Sequence, residues 1–182
     1  GISFPTGLDF SEANPGAKKK SLVRFNKYIN EKGRLLNEAR GLYQNVIKTS
    51  VAHWAIAASA RIGQLYQNFA DALYTAPVPK PDIPAFIKGR DARDDYKMAF
   101  TDAYCDTLED KAGPLEAKAV QGLATCTQKS TELSWFNDWS SLCEAELNQI
   151  LPADYPIAAE IRAKPGYLTL RRDLAGVTTE LN

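Results

Sequence analysis

Apolar side chains recur every three or four positions through most of this chain, and that spacing limits what it can fold into. Between residues 17 and 48 they fall at Leu22, Phe25, Ile29, Leu35, Leu36, Ala39, Tyr43, Val46 and Ile47. On an α-helix, side chains at these spacings line up as one stripe, which folding buries against another element. The pattern therefore predicts an all-α fold made of helices that turn their apolar stripes toward each other.

The same spacing predicts four helices, at about residues 17–48, 51–75, 91–133 and 135–151. The predicted apolar stripe begins at Trp54 in the second helix and at Trp135 in the fourth. We expect the third to be kinked near 113–114, where a Gly-Pro pair falls. The second helix is small-sided in its first half, which allows close approach of a neighbouring backbone and predicts a central position. Its small residues are Ala52, Ala55, Ala57, Ala58, Ser59, Ala60 and Gly63.

Proline and glycine set the limits of the helical part. Four prolines between residues 76 and 84 predict a semi-rigid crossover between the second and third helices. Residues 1–16 predict an extended lead-in, and residues 153–182 an extended tail that packs on the helices. With 182 residues, of which 45% are hydrophobic, the chain can form one helical domain over residues 17–152, built from antiparallel helical hairpins.

Few residues could carry catalysis. His53 is the single histidine, and no nucleophile-elbow, dinucleotide-binding or phosphate-binding motif is present. Zinc or haem needs several ligands at metal spacing, and the three cysteines are far apart. We therefore expect no catalytic, metal or cofactor site. The acidic residues between positions 91 and 110 are interpreted as a solvated helix face, with a cation site or a basic partner as the alternative.

The charge balance narrows the choice of partner. Lys plus Arg and Asp plus Glu are both 22, so the net charge is zero at neutral pH. A nucleic-acid or anionic-membrane binder would carry a basic excess. No apolar run is long enough for a membrane-spanning helix, and the first residues do not resemble a signal peptide. We expect the sequence to be part of a longer protein whose upstream region carries the targeting information.

Two of the cysteines sit symmetrically about a predicted turn. Cys126 lies eight residues before Ser134, and Cys143 nine residues after it. If Ser134 marks the turn of a helical hairpin, the two cysteines stand at nearly the same height. The spacing fits either a disulfide, which would indicate an oxidising compartment, or a pair of buried thiols. Cys105 is interpreted as a core thiol.

The second helix carries the string Trp54-Ala-Ile-Ala-Ala-x-x-Arg61-Ile-Gly63-Gln-Leu-Tyr66-x-x-Phe69-Ala, followed by Ala76-Pro-Val-Pro. Its marked positions are Trp54, Arg61, Gly63, Tyr66 and Phe69. This motif resembles tetratricopeptide-repeat-like envelope proteins of proteobacteria, among them gliding-motility and outer-membrane-associated proteins.

A second motif resembles the closing unit of the same proteins. Its strings are Leu115-Glu-x-Lys-Ala119, then Trp135-Phe-Asn-x-Trp139-x-x-x-Cys143-Glu-x-Glu-Leu-Asn148, and Pro152-x-x-Tyr155-Pro156. Together the two motifs cover about residues 35–160. The standard 34-residue repeat cannot be overlaid cleanly, so the resemblance implies terminal, divergent repeats.

The resemblance implies hairpins stacked as a right-handed superhelix or bundle, in a C-terminal module of a periplasmic or outer-membrane-associated bacterial protein. It implies a non-enzymatic scaffold for protein–protein interaction, whose partners are envelope proteins or a peptide segment. Two alternatives stay open: a solenoid cap with no ligand of its own, and a helical bundle that binds a small ligand.

Overall fold

The computed structural model describes residues 2–10 and 14–157, and these residues form four α-helices and no strand. Helix α1 spans Pro15–Ile47, α2 spans Ala52–Tyr74, α3 spans Arg90–Glu132 and α4 spans Asp138–Ile150. The predicted all-α class is therefore confirmed.

Local capping explains where two of the helices begin. The Asn14 side chain accepts a hydrogen bond from the Ala17 amide, and Pro15 occupies the first turn of α1, where its missing N–H is tolerated. Asn137 and Ser140 form a reciprocal capping box at the start of α4. This cap starts α4 at Asp138, three residues later than the apolar pattern predicts, so Trp135 lies in the turn before the helix.

Helix α3 runs through Gly113 and Pro114 without a break. A proline inside a helix leaves the carbonyl four residues earlier without its usual donor. That carbonyl belongs to Asp110, an exposed residue, so water can take the place of the missing N–H. The Gly-Pro pair therefore does not divide the helix in two.

Helix α2 lies at the centre and packs against each of the other three helices. It is antiparallel to α1, with Tyr28 against Phe69, and parallel to α4, with the Gln67 amide donating to Glu146. Residues 55–60 of α2 are all buried. The central position predicted from its small residues is confirmed.

The closest approach in the fold joins α2 to α3. A Cβ placed on Gly122 would lie 2.7 Å from the Gly63 amide nitrogen, and one placed on Gly63 would lie 2.6 Å from Leu123 Cγ. Such distances leave no room for any side chain at either position. The two glycines therefore set how tightly this antiparallel pair can pack.

Two apolar clusters share α2 as their common wall. The first joins α1, α2 and α3, and includes Tyr28, Phe69 and Leu108. The second joins α2, α3 and α4, and includes Ile56, Leu123 and Leu147. The first cluster uses the C-terminal half of α2, and the second uses its N-terminal half.

The lead-in closes the first cluster at its open end. Leu8 is buried, and the rings of Phe4 and Phe10 both pack edge-on against Phe25. At the other end of the chain, Asn148 donates to the Tyr155 carbonyl and holds the turn after α4. Of the predicted tail over residues 153–182, residues 158–182 lie outside the described residues.

Candidate functional site

The two cysteines predicted to face each other do so. Cys126 on α3 and Cys143 on α4 have their sulfur atoms 2.15 Å apart and their Cα atoms 6.4 Å apart, which is disulfide distance. Both are fully buried. Cys126 Sγ also lies 3.5 Å from the Trp139 carbonyl oxygen, an acceptor for the thiol proton in the reduced form. The hairpin geometry assumed from the sequence is confirmed for this pair.

Cys105 is exposed on α3, so its interpretation as a core thiol is wrong. The buried positions nearby are Tyr104 and Leu108, four residues apart on the inner face of the helix. Cys105 follows Tyr104 by one residue, which turns it about 100° away from that face. The residue type alone does not show which face of α3 Cys105 occupies.

The turn between α3 and α4 meets the start of α2. Asn137 Nδ2 lies 3.3 Å from His53 Nδ1, and the His53 ring packs edge-on against the Trp54 ring. The two segments that meet here carry five exposed apolar side chains, which we call the aromatic end: Val51, Trp54, Leu133, Trp135 and Phe136.

The three rings of the aromatic end are exposed, Trp54 by 58%, Trp135 by 50% and Phe136 by 67%. The apolar pattern predicts Trp54 and Trp135 as the first members of buried stripes, and both predictions are wrong. Trp54 stands in the first turn of α2. Trp135 stands in a turn, where Ser134 has a positive φ of 49°.

The other motif residues of α2 and α4 have packing roles. The guanidinium of Arg61 lies 4.8 Å from the centre of the Trp139 ring, which joins α2 to α4 through a cation–π contact. Tyr66 and Phe69 are buried in the first cluster, and Gly63 makes the close approach to α3. The motif is thus explained mainly by the packing of α2 against its neighbours.

A groove opens between the C-terminal half of α1 and the α2–α3 pair. No residue of α1 after Leu36 is buried, and the groove encloses about 260 Å³. We call it the basic groove and define it by the lining residues Arg40, Gln44, Ile62, Tyr66, Lys118 and Gln121. Sequence reasoning missed its two cations, because α1 and α3 each carry many charges and the spacing does not show which ones converge.

Two opposite charges, Lys32 and Asp71, lie beside the last turns of α2. Lys32 Nζ lies 5.2 Å from the Phe69 ring centre and 5.7 Å from the Tyr28 ring centre, and burial lowers the pKa of its ammonium group. Partial burial, and next the nearby Glu146 and Glu116 carboxylates, raise the pKa of Asp71. Both shifts follow from packing charged groups beside the core.

Residues 2–10 and 14–157 contain no group of side chains placed to hold a metal ion and no membrane-spanning helix. No group of three or more histidine, cysteine or carboxylate side chains is placed to hold a metal ion there. No helix in that part of the chain is long and apolar enough to cross a membrane.

Comparison with protein-family models, with curated proteins and with solved structures finds no match to this chain. The resemblance of its two motifs to tetratricopeptide-repeat-like envelope proteins therefore stays a prediction.

Proposed function

We propose that this chain is a non-enzymatic scaffold that binds other proteins, as a module of a longer bacterial envelope protein with divergent tetratricopeptide-like hairpins. The observation that supports the proposal best is the aromatic end. Single exposed apolar residues are ordinary on a protein surface, whereas a cluster of them is typical of a binding surface. Here two tryptophans and a phenylalanine are held out by a helix start and a capped turn.

The geometry of the aromatic end suits recognition of a protein. Tryptophan and phenylalanine offer large contact areas with few rotatable bonds, and aromatic anchors dominate the energy of many interfaces. The turn that carries Trp135 and Phe136 is fixed by the Asn137 capping box and by the hydrogen bond from the Trp135 amide to the Ser130 carbonyl. A partner would therefore meet side chains that lose little freedom on binding.

The proposal also includes the cellular compartment of the protein. A disulfide between Cys126 and Cys143 would persist in an oxidising compartment such as the periplasm. The paired distance of these two cysteines supports a periplasmic or outer-membrane-associated location.

The proposal is tested by capturing partners on the immobilised 182-residue chain, from an extract of the cells that express it. We expect a W54S/W135S/F136S variant to lose partners that the unaltered chain retains. The matched control is F86S/M98S, which removes two exposed apolar side chains outside the aromatic end. If the unaltered chain and the aromatic-end variant recover the same proteins in the same amounts, the aromatic end has no part in binding.

A structural cap is the second candidate, and one observation favours it. Leu35, Leu42 and Val46 lie along one face of α1 and are exposed, Leu42 by 70%. They continue the line that begins at the buried Tyr28, at spacings of seven, seven and four residues. A preceding helical unit of a longer protein could cover this stripe, as the neighbours in a solenoid do.

Hydrogen exchange separates the two candidates. In the longer protein, a cap predicts slow amide exchange along residues 35–46 and no partner on the aromatic end. A scaffold predicts protection at residues 51–54 and 133–136 only when a partner is added.

A further inference from the structure

Two cations of the basic groove contact the same tyrosine, Tyr66. Arg40 Nη1 lies 3.5 Å from the Tyr66 hydroxyl oxygen, and Lys118 Nζ lies 5.7 Å from the centre of the Tyr66 ring. Tyr66 itself is buried, with only 5% of its surface exposed. The Tyr66 side chain therefore forms the floor of the basic groove, between Arg40 of α1 and Lys118 of α3.

Neither cation is neutralised by its neighbours. The groove lining contains no Asp or Glu, and no carboxylate of the described residues forms an ion pair with Arg40 or Lys118. Arg34, one turn and a half earlier on α1, shows the usual arrangement, because it is paired with both Glu31 and Glu38. The basic groove is thus a place where two positive charges converge without local compensation.

The uncharged lining residues also favour a ligand that carries an anionic group next to an apolar group. Gln44, Gln121 and the Tyr66 hydroxyl can each donate a hydrogen bond. Ile62 and Ile47 supply aliphatic walls next to these donors. A guanidinium and an ammonium form short, charge-assisted hydrogen bonds to carboxylates, and the planar guanidinium can do so with two parallel bonds.

We propose that the basic groove binds an acidic peptide segment of a partner protein, with a carboxylate held by Arg40 and Lys118 and an aliphatic side chain against Ile62. This inference rests on the proposed scaffold function, and it names the chemistry of one partner segment. Charge complementarity is its basis, since the groove offers two uncompensated cations in a chain whose net charge is zero.

Peptide selection tests the proposal with random sequences in place of a natural partner. A phage-displayed library of random ten-residue peptides is selected on the full chain and on an R40Q/K118Q variant. We expect peptides recovered on the unaltered chain to be enriched in Asp and Glu over the starting library. The R40Q/K118Q variant should lose that enrichment, and R40E/K118E should favour Lys and Arg instead.

A matched control removes two cations outside the groove. R93Q/K111Q takes the same number of charges from exposed positions of α3 and should keep the acidic enrichment. Circular dichroism of every variant checks that the helices remain. Fluorescence polarisation with the best selected peptide then measures affinity, and changing its Asp and Glu to Asn and Gln should weaken binding about tenfold or more.

The possible results separate this inference from the scaffold function. Acidic enrichment that is absent, or that survives in R40Q/K118Q, overturns the inference about the groove. The scaffold proposal stands in that case if partner capture still depends on the aromatic end. If partner capture fails while acidic peptides bind in a manner that depends on Arg40 and Lys118, the groove inference stands and the role of the aromatic end falls.

Discussion

Gly63 and Gly122 meet backbone to backbone where α2 crosses α3, so closely that a Cβ on Gly122 would lie 2.7 Å from the Gly63 nitrogen. Each glycine costs helix stability in isolation, since glycine is about 1 kcal/mol poorer than alanine inside a helix. Here that cost is offset by the packing that the close approach allows. On α2 and α3, the two glycines lie between the buried residues of the first apolar cluster and those of the second.

Substituting this position should therefore destabilise the fold. G122A places a methyl group against backbone atoms that cannot move aside, and we expect the free energy of unfolding to fall by about 1–3 kcal/mol. Urea unfolding followed by circular dichroism measures the change. G41A is the control, because a Cβ there meets nothing within 4 Å and alanine favours the helix. It should raise the free energy of unfolding by about 0.5–1 kcal/mol, and equal effects of the two variants would contradict the role of the close approach.

If Cys126 and Cys143 form a disulfide, the number of free thiols in the denatured protein is fixed. Protein that is isolated without reductant and denatured in the presence of a thiol reagent should show one reactive cysteine, Cys105, of the three. Closing a loop of this size stabilises a fold by about 3 kcal/mol. C126S/C143S should lose about that much, and reductant should remove the difference from the unaltered chain. C105S is the control and should change little, and a count of three thiols would show that the bond is absent.

Exposed and buried aromatic residues should have different roles. Substitutions in the aromatic end should affect binding, and substitutions of buried rings should affect stability. W54A removes a side chain that is 58% exposed, so we expect a loss of less than about 0.5 kcal/mol in stability. F69A removes a ring that is buried against Tyr28 and should cost about 3–5 kcal/mol. Thermal unfolding measures both variants. A severe loss of stability in W54A would mean that the surface supports the fold and is not kept for a partner.

Removing the charge of Asp71 should stabilise the fold by an amount that depends on pH. Desolvation first, and then Glu146 and Glu116, raise the pKa of its carboxyl above the ordinary 3.8. The folded state therefore binds this proton more tightly than the unfolded state, and the ionised carboxylate is a penalty that is present at neutral pH. The penalty disappears as pH falls below the unfolded-state pKa.

D71N should accordingly raise the melting temperature at pH 7, by about 1 °C because the group is partly exposed and screened. The difference from the unaltered chain should shrink as the pH is lowered toward about 4. D102N is the control, since it removes the same charge from an exposed position on α3. A gain for D71N that does not change with pH would assign the effect to something other than ionisation.

The sequence by itself determined the helical class and the placement of Cys126 opposite Cys143, and it left open whether the two form a disulfide. Both depend on local spacing. Apolar residues three and four positions apart predict helices, and cysteines eight and nine residues from a turn are predicted at nearly equal height. The small residues of α2 also indicated its central position, because small side chains let the backbone of a neighbouring helix approach closely. These are properties that one helix, or one hairpin, carries in its own order of residues.

Only the tertiary structure decided which apolar residues are buried and which charges converge. Trp54 and Trp135 are predicted as core residues from the sequence, yet they are exposed, Trp54 in the first turn of α2 and Trp135 in the turn before α4. Arg40 and Lys118 are 78 positions apart in the sequence and meet on Tyr66 because of how α1 and α3 sit against α2. Burial and convergence depend on the relative placement of helices, which periodicity within a single helix does not encode.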